Sequence, residues 1–375
     1  MRFISADYLY TLDLKPIKNG VLQLNNFGEI TNIFKNKAEI PNQNIEFFNG
    51  ILCPGFINAH CHLELSHLHN ISKSVNGFSE FLKIVKKREK YSQAFITRAI
   101  QSAEDQMIKN GIVAVGDICN TTDTLEIKKN KKLYYYNFIE AFEVCSKKSR
   151  NAIAKALLIR DAFRNNNLKA TITPHSPYSV TPDLMKLIAN VSDEFDYTFS
   201  MHNQETEEEN ILFKNKKGKF HNWLKSLNAS AEIWNDRSSS YTVLDELRPK
   251  RIILVHNTYS SSADLKDKYY CTCPCANLFI ENKLPNYSIF NSDNLCVGTD
   301  SLASNNQLSI IKELALIQEN SNFSLEELLK IGCKNGANAL GFYKYGTIEV
   351  GKTPGINLIT GSEFGLANSK VKRIA

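Results

Sequence analysis

Long apolar runs are missing from this sequence. None approaches the ~20 residues that span a bilayer, so no membrane-spanning segment is expected. An apolar leader is missing too: Asp7 and Asp13 interrupt Met1 to Leu14, where a signal peptide needs an unbroken apolar stretch. Export is therefore not expected. A large excess of charge of one sign is missing as well. Lysine and arginine number 45 against 39 aspartates and glutamates, a net +6 spread along the chain. With no basic helix and no interleaving of basic and aromatic residues, nucleic-acid binding is not expected. Repeats, low-complexity stretches and flexible linkers are also lacking. The nine cysteines are an odd number, and several lie in apolar strand-like runs. That suits reduced thiols in a cytoplasm better than a disulfide framework.

What is present is an average globular composition, 43% hydrophobic and 22% charged over 375 residues. This length suits an α/β barrel of about 250 residues with a small accessory domain. The first fifty residues hold short strand-like segments, Phe3 to Leu12, Val21 to Leu24 and Ile30 to Phe34, separated by turn residues. From Leu52 to Gly341, apolar runs alternate with amphipathic helical stretches. Eight runs are readable: Ile51–His60, Ile112–Ile118, Tyr134–Phe142, Ala170–Pro174, Tyr197–His202, Ile252–His256, Tyr269–Cys275 and Leu295–Thr299. Eight strands are what a (β/α)8 barrel requires. Between them, Phe78, Phe81, Leu82 and Val85 have helical spacing, Thr181 with Pro182 opens a helix, and Ser324 with Glu327 predicts a capping box for a helix that Gly341 ends. Thr347 to Ile359 returns to strand-like alternation. The expected architecture is α/β: a TIM barrel over 53–341, and a small β-sandwich domain from 1–52 and 342–375.

The polar residues fall in a pattern. The first run ends in His60-Cys61-His62, the fourth in His175, the fifth in His202 with Glu205 behind it, the sixth in His256 and the eighth in Asp300. Parallel barrel strands deliver their C-terminal ends to one face, where such enzymes carry their chemistry. His60 and His62, two apart on a strand, face the same side and can grip one ion. His202 and Asp300 complete a set of three nitrogens and one carboxylate, with an open position for water. Glu205 can lean over the ion and move protons. His256 is expected to position the attacking water, and His175 to contact substrate. Glu64 lies just after the first strand, at the expected substrate rim. Cys271, Cys273 and Cys275 alternate too closely for a zinc module and are expected as small core residues.

Several segments resemble the amidohydrolase superfamily, in its deaminase and chlorohydrolase branch. They are Pro54 to His62, His202-Asn203-Gln204-Glu205-Thr206, Cys273-Pro274-Cys275-Ala276-Asn277, Gly298-Thr299-Asp300-Ser301, and Gly346 to Lys352. Asn58 to Ser66, Phe78 to Glu89 and Asp300 to Asn305 look like aminodeoxyfutalosine and related nucleoside deaminases. The resemblance implies one divalent ion, zinc or iron, on His60, His62, His202 and Asp300. It implies Glu205 as proton shuttle, His256 on the water, and Asp300 as an acceptor for the water proton. Glu64, His175 and Asn305 are the substrate-contact candidates. Binuclear members carry a bridging lysine at the end of the fourth strand. Ala170 to Ser176 has none, which argues for one metal. A homodimer is a further expectation from the family.

The resulting expectation is a cytoplasmic metal-dependent hydrolase that deaminates an aminated N-heterocycle or purine nucleoside. Activated water attacks the amino-bearing ring carbon and ammonia leaves. Dechlorination or alkylamine release from a triazine-like ring, and amide or cyclic-imide hydrolysis, use the same centre. A noncatalytic metal-binding scaffold is the rival of another class, and a free Glu205 beside an open position argues against it.

Overall fold

The computed structural model describes residues 1–71, 75, 77–191, 197–235, 237, 251–265, 267–362 and 365–375. Five strands open the chain: β1 (Arg2–Leu9), β2 (Ile17–Lys18), β3 (Val21–Leu24), β4 (Ile30–Phe34) and β5 (Ile45–Pro54). Then come β6 (Phe56–Cys61), β7 (Ile112–Cys119), β8 (Tyr134–Ala141), β9 (Lys169–Pro174), β10 (Thr198–Asn203), β11 (Arg251–His256), β12 (Tyr269–Thr272) and β13 (Leu295–Val297). Helices separate most of these. Two strands end the fold, β14 (Ile356–Thr360) and β15 (Lys370–Arg373).

Strands from both ends of the chain share one sheet of seven, ordered β15-β14-β5-β1-β3-β4 with β2 on β1. The join is antiparallel, with Leu358 opposite Leu52 and Ile356 opposite Pro54. Alternate residues Ile4, Ala6, Leu22, Leu24, Leu52 and Ile356 bury one apolar face together.

The run Ile51–His60, expected as one strand, is two. It breaks at Gly55, where a β-carbon would lie 2.3 Å from Val113 Cγ1 and 2.8 Å from the Pro354 carbonyl. Only glycine lets the chain leave the terminal sheet at that point and enter β6.

β6-β7-β8-β9 and β10-β11-β12-β13 form two four-stranded parallel sheets. Hydrogen bonds also join one set to the other. Between β9 and β10, the His202 N–H donates to the His175 carbonyl at 2.9 Å and the Ser200 N–H to Thr173 Oγ1 at 2.9 Å. Between β13 and β6, the Thr299 and Asp300 N–H groups both donate to the His60 carbonyl at 3.1 Å, beside a parallel bridge from Cys61 to Asp300. Gly298 makes this approach feasible, since a β-carbon there would sit 2.6 Å from the His60 carbonyl oxygen.

Both faces of these strands are apolar, as parallel strands with covered faces require. Tyr136 and Phe138 share one face of β8 and stack with centroids 4.6 Å apart, in a cluster with Ala59, Val255 and Cys271. Tyr135 and Ile139 point the other way, into a cluster with helix residues Ile100, Ile153 and Leu184.

Local signals behave as their chemistry dictates. Thr181 Oγ1 accepts from the Leu184 N–H at 3.2 Å at the start of the helix Pro182–Val191. Ser324 and Glu327 form a reciprocal capping box on the helix Leu325–Gly332. That helix stops at Gly332, and Gly341 instead ends the next one, Lys334–Leu340, in the left-handed region at φ 67°. The seventh run is also shorter than expected. Pro274 starts a helix over Pro274–Glu281, so Cys275 lies on a helix while Cys271 and Cys273 stay in the core. Among the described residues, no helix is long and apolar enough to cross a membrane.

Candidate active site

The C-terminal ends of β6, β10 and β11 and the segment after β13 bring His60, His62, His202, His256, Glu205 and Asp300 together, all buried. Ring nitrogens of His60, His62 and His202 lie within 4.8 Å of one another. Asp300 Oδ1 is 3.7 Å from His60 Nε2 and 3.5 Å from His62 Nε2. The other oxygen, Oδ2, accepts from Ser304 Oγ at 2.5 Å, which orients the carboxylate.

The donor set passes a simple test for a cation. Both ring nitrogens of His60 are buried without a hydrogen-bond partner among the described residues. A buried polar atom left unpaired costs about 1–3 kcal/mol. A divalent ion facing one nitrogen removes part of that penalty, and three imidazoles with one carboxylate are a zinc-type set. Burial holds His60 and His62 down to about 4, so both are neutral near pH 7 as a metal ligand must be. Asp300 stays ionised. Burial opposes its charge, but the facing His60 ring, 3.7 Å away, and the nearby His62 and His256 rings hold it far below the usual carboxylate range.

Two residues at this centre have strained backbones. His256 has φ 73° and Asp300 φ 55°, the left-handed region that side chains other than glycine rarely adopt. Both turn inward just where their strands end.

Glu205 Oε1 lies 3.7 Å from His256 Nε2. Burial pushes the Glu205 carboxyl up to about 8; His202 pulls the other way, and Asp300, Glu209 and Glu281 add to the rise. It is thus a carboxyl that can hold and release a proton near neutral pH. Burial holds His256 down to about 4, and its Nδ1 is 2.8 Å from Asn277 Oδ1. A neutral ring that donates Nδ1–H to Asn277 turns an unprotonated Nε2 toward Glu205.

His175 stacks on His202, centroids 4.7 Å apart, with its Nδ1 2.8 Å from Ser179 Oγ. Glu64 is buried, and its Oε2 accepts from the Asn120 N–H at 2.9 Å and from the Thr121 N–H and Oγ1 at 3.0 Å. Its Oε1 has no hydrogen-bond partner among the described residues, and Arg88 Nη1 approaches to 3.8 Å. Burial pushes the Glu64 carboxyl up to about 7 against the Asn120 bond and Arg88.

Asn305 is held by three neighbours. Its Nδ2 donates to the Thr299 carbonyl at 2.9 Å and to Glu313 Oε1 at 2.7 Å, and its Oδ1 accepts from the Gln307 N–H at 3.2 Å. The buried Glu313, on the helix Ile310–Glu319, captures the amide and makes Asn305 a brace for the loop that carries Asp300.

Sequence reading missed Glu140. It lies on β8 with Oε1 3.3 Å from His202 Nδ1, forming a second close group with His175 and His202. The available signal was an acidic residue inside the otherwise apolar Phe138-Ile139-Glu140-Ala141. Asp117 and Lys128 were missed as well. They form a fully buried ion pair, and Asp117 Oδ1 accepts from the Leu63 N–H at 2.8 Å, just past His62.

Comparisons with known proteins agree with this geometry. The Amidohydrolase family model matches residues 51–373. An adenosine deaminase of Helicobacter pylori is 28% identical over 328 residues, 83% of this chain and 80% of its own length. An aminodeoxyfutalosine deaminase of Nitratiruptor is 26% identical over 343 residues, 85% of this chain and 81% of its own. The crystal structure of Helicobacter pylori aminofutalosine deaminase with methylthio-coformycin covers 100% of both chains, at a TM-score of 0.83 and 24% identity. With its family match running from residue 51 to 373, through β6 to β13, this chain belongs to the amidohydrolase family.

Proposed function

We propose that this protein is a metal-dependent aminohydrolase that deaminates a purine nucleoside of the adenosine or aminodeoxyfutalosine type. In this reading β6 to β13 close into one (β/α)8 barrel, 53–341, and the segments 1–52 and 342–375 form the small β domain. We also assign the protein to the cytoplasm. The observation that carries the function is the Glu205–His256 pair, 3.7 Å apart, beside three converging histidines and Asp300.

His60, His62, His202 and Asp300 hold one divalent ion, most simply zinc. When bound, the ion supplies Lewis acidity that brings the pKa of a water in its open position to about 7.

The chain's own groups do the rest. Glu205 delivers a proton to the ring nitrogen next to the amino-bearing carbon, which makes that carbon electrophilic. His256 accepts a hydrogen bond from the attacking water through Nε2, because Asn277 takes its other nitrogen. Asp300 accepts a proton from the water as oxygen bonds to carbon. Asp300 passes that proton to the amino group, the carbon–nitrogen bond breaks and ammonia leaves, and the hydroxyl proton on the ring carbon returns to Glu205 as the carbonyl forms. Glu64 and His175 contact the nucleoside, while Asn305 holds the Asp300 loop. The comparable enzymes named above act on such nucleosides, which favours this class over triazines or amides.

The test is ammonia release by zinc-loaded protein from adenosine, 5'-deoxyadenosine, methylthioadenosine, S-adenosylhomocysteine and aminodeoxyfutalosine, with aminotriazines as the contrasting set. Release from one or more nucleosides is expected. Release from triazines alone, or none with metal bound, overturns the assignment.

A further inference from the structure

His202 presents one ring nitrogen to His62 and the other to Glu140. Its Nε2 is 3.3 Å from His62 Nε2, and its Nδ1 is 3.3 Å from Glu140 Oε1. The His175 carbonyl also lies 3.0 Å from this Nδ1. The carbonyl takes the Nδ1–H, and the Glu140 carboxylate lies beside the same edge of the ring. Glu140 is buried, and its Oε1 has no hydrogen-bond partner among the described residues. Its Oε2 accepts from Asn120 Nδ2 at 2.9 Å, and the Asn120 backbone N–H holds Glu64 Oε2 at 2.9 Å. One asparagine thus ties the carboxylate behind His202 to the carboxylate at the substrate rim.

The carbonyl alone is enough to fix the tautomer of His202, so Glu140 needs another reason to be there. A buried carboxylate is costly unless an opposite charge faces it. The groups facing it are the imidazoles of His202 and His175, and His175 Nδ1 already meets Ser179 at 2.8 Å. A divalent ion with Asp300 as its sole carboxylate leaves a net positive charge in the same buried volume. Glu140 supplies the negative charge that balances it, passed through the His202 ring.

We propose that Glu140 is a positioning and charge-balancing residue for the metal centre, acting by its charge 3.3 Å from His202 Nδ1 and held in place by Asn120. The proposal rests on the reading of His60, His62, His202 and Asp300 as ligands. Partners of this kind set the basicity and orientation of a ligand imidazole, and their loss costs about 10- to 100-fold in metal affinity.

The test measures zinc affinity by competition with a chromophoric chelator, and the visible spectrum of the cobalt-loaded protein, for wild type, Glu140→Gln, Glu140→Leu and His202→Asn. Glu140→Gln keeps size and one acceptor but removes the charge. Affinity about 10-fold weaker in Glu140→Gln and about 100-fold weaker in Glu140→Leu is expected, with an altered cobalt spectrum at unchanged circular dichroism. Should Glu140→Leu fail to fold, the glutamine variant decides alone. One ion in wild type, weakened by His202→Asn but within twofold of wild type in both Glu140 variants, overturns the role of Glu140 and leaves the ligand set standing. No divalent ion in wild type overturns both. Two ions per chain, with one lost in Glu140→Gln, replaces this role by a second ion held on Glu140 and His175.

Discussion

The Nε2 atoms of His62 and His202 lie 3.3 Å apart, a hydrogen-bond distance between two rings that both face the centre. One of them must carry the shared proton. Burial holds His62 down to about 4. His202 is raised to about 9: burial opposes this, but the Glu140 carboxylate beside Nδ1, with Glu205 and Asp300, outweighs it. In the metal-free protein His202 is the donor, and an ion at this centre takes the place of that proton.

Zinc binding at pH 7 is therefore expected to release at least one proton per ion. Calorimetry in buffers of different ionisation enthalpy measures it. The group's folded pKa lies above the working pH, so competition by protons eases as pH rises, and apparent affinity climbs until about pH 9, by about 10-fold per unit at most for one proton. Zinc uptake with no proton release between pH 6 and 8 contradicts this arrangement.

Glu205→Gln is expected to bind zinc as wild type does, yet turn over the responsive nucleoside at least about 100-fold more slowly. The amide has the size of the carboxyl and no proton to deliver. Steady-state kcat with metal content measured on the same sample checks this. Turnover within a few-fold of wild type removes Glu205 from the proton path.

Lys128→Met leaves the fully buried Asp117 carboxylate without its cation. Removing one partner of a buried pair costs about 3–5 kcal/mol, and replacing both costs far less. Urea unfolding is expected to show Lys128→Met much less stable than the double variant Asp117→Asn, Lys128→Met. Equal stability of the two contradicts a charge-driven cost.

Gly298→Ala places a β-carbon 2.6 Å from the His60 carbonyl oxygen and 2.8 Å from the His60 backbone nitrogen. β13 is then pushed off β6, carrying Asp300 away from His60. Loss of zinc affinity together with a lowered Tm is expected. A variant with wild-type zinc affinity shows that the seam tolerates the displacement.

Much of the site was legible because its residues obey strand geometry. His60 and His62 are spaced by two and face one side; His202, His256 and Asp300 each close an apolar run. Parallel strands alone carry such ends to one place. The alternation of Tyr136 and Phe138 against Tyr135 and Ile139 was equally local. What local pattern did not convey was where the first run divides, since Gly55 is needed only because Val113 and Pro354 lie against it.

The sequence by itself determined which residue types reach the end of which strand, because apolar periodicity and turn residues act over a few neighbours. Tertiary structure alone decided what each polar side chain meets there. Glu140 faces His202 because β9 pairs with β8 on one side and is hydrogen-bonded to β10 on the other. Asn305 turns to Glu313 because a helix buries an acceptor beside it. Hydrogen bonds and charges in a buried site are set by partners far along the chain, at distances of a few ångströms that residue spacing does not specify.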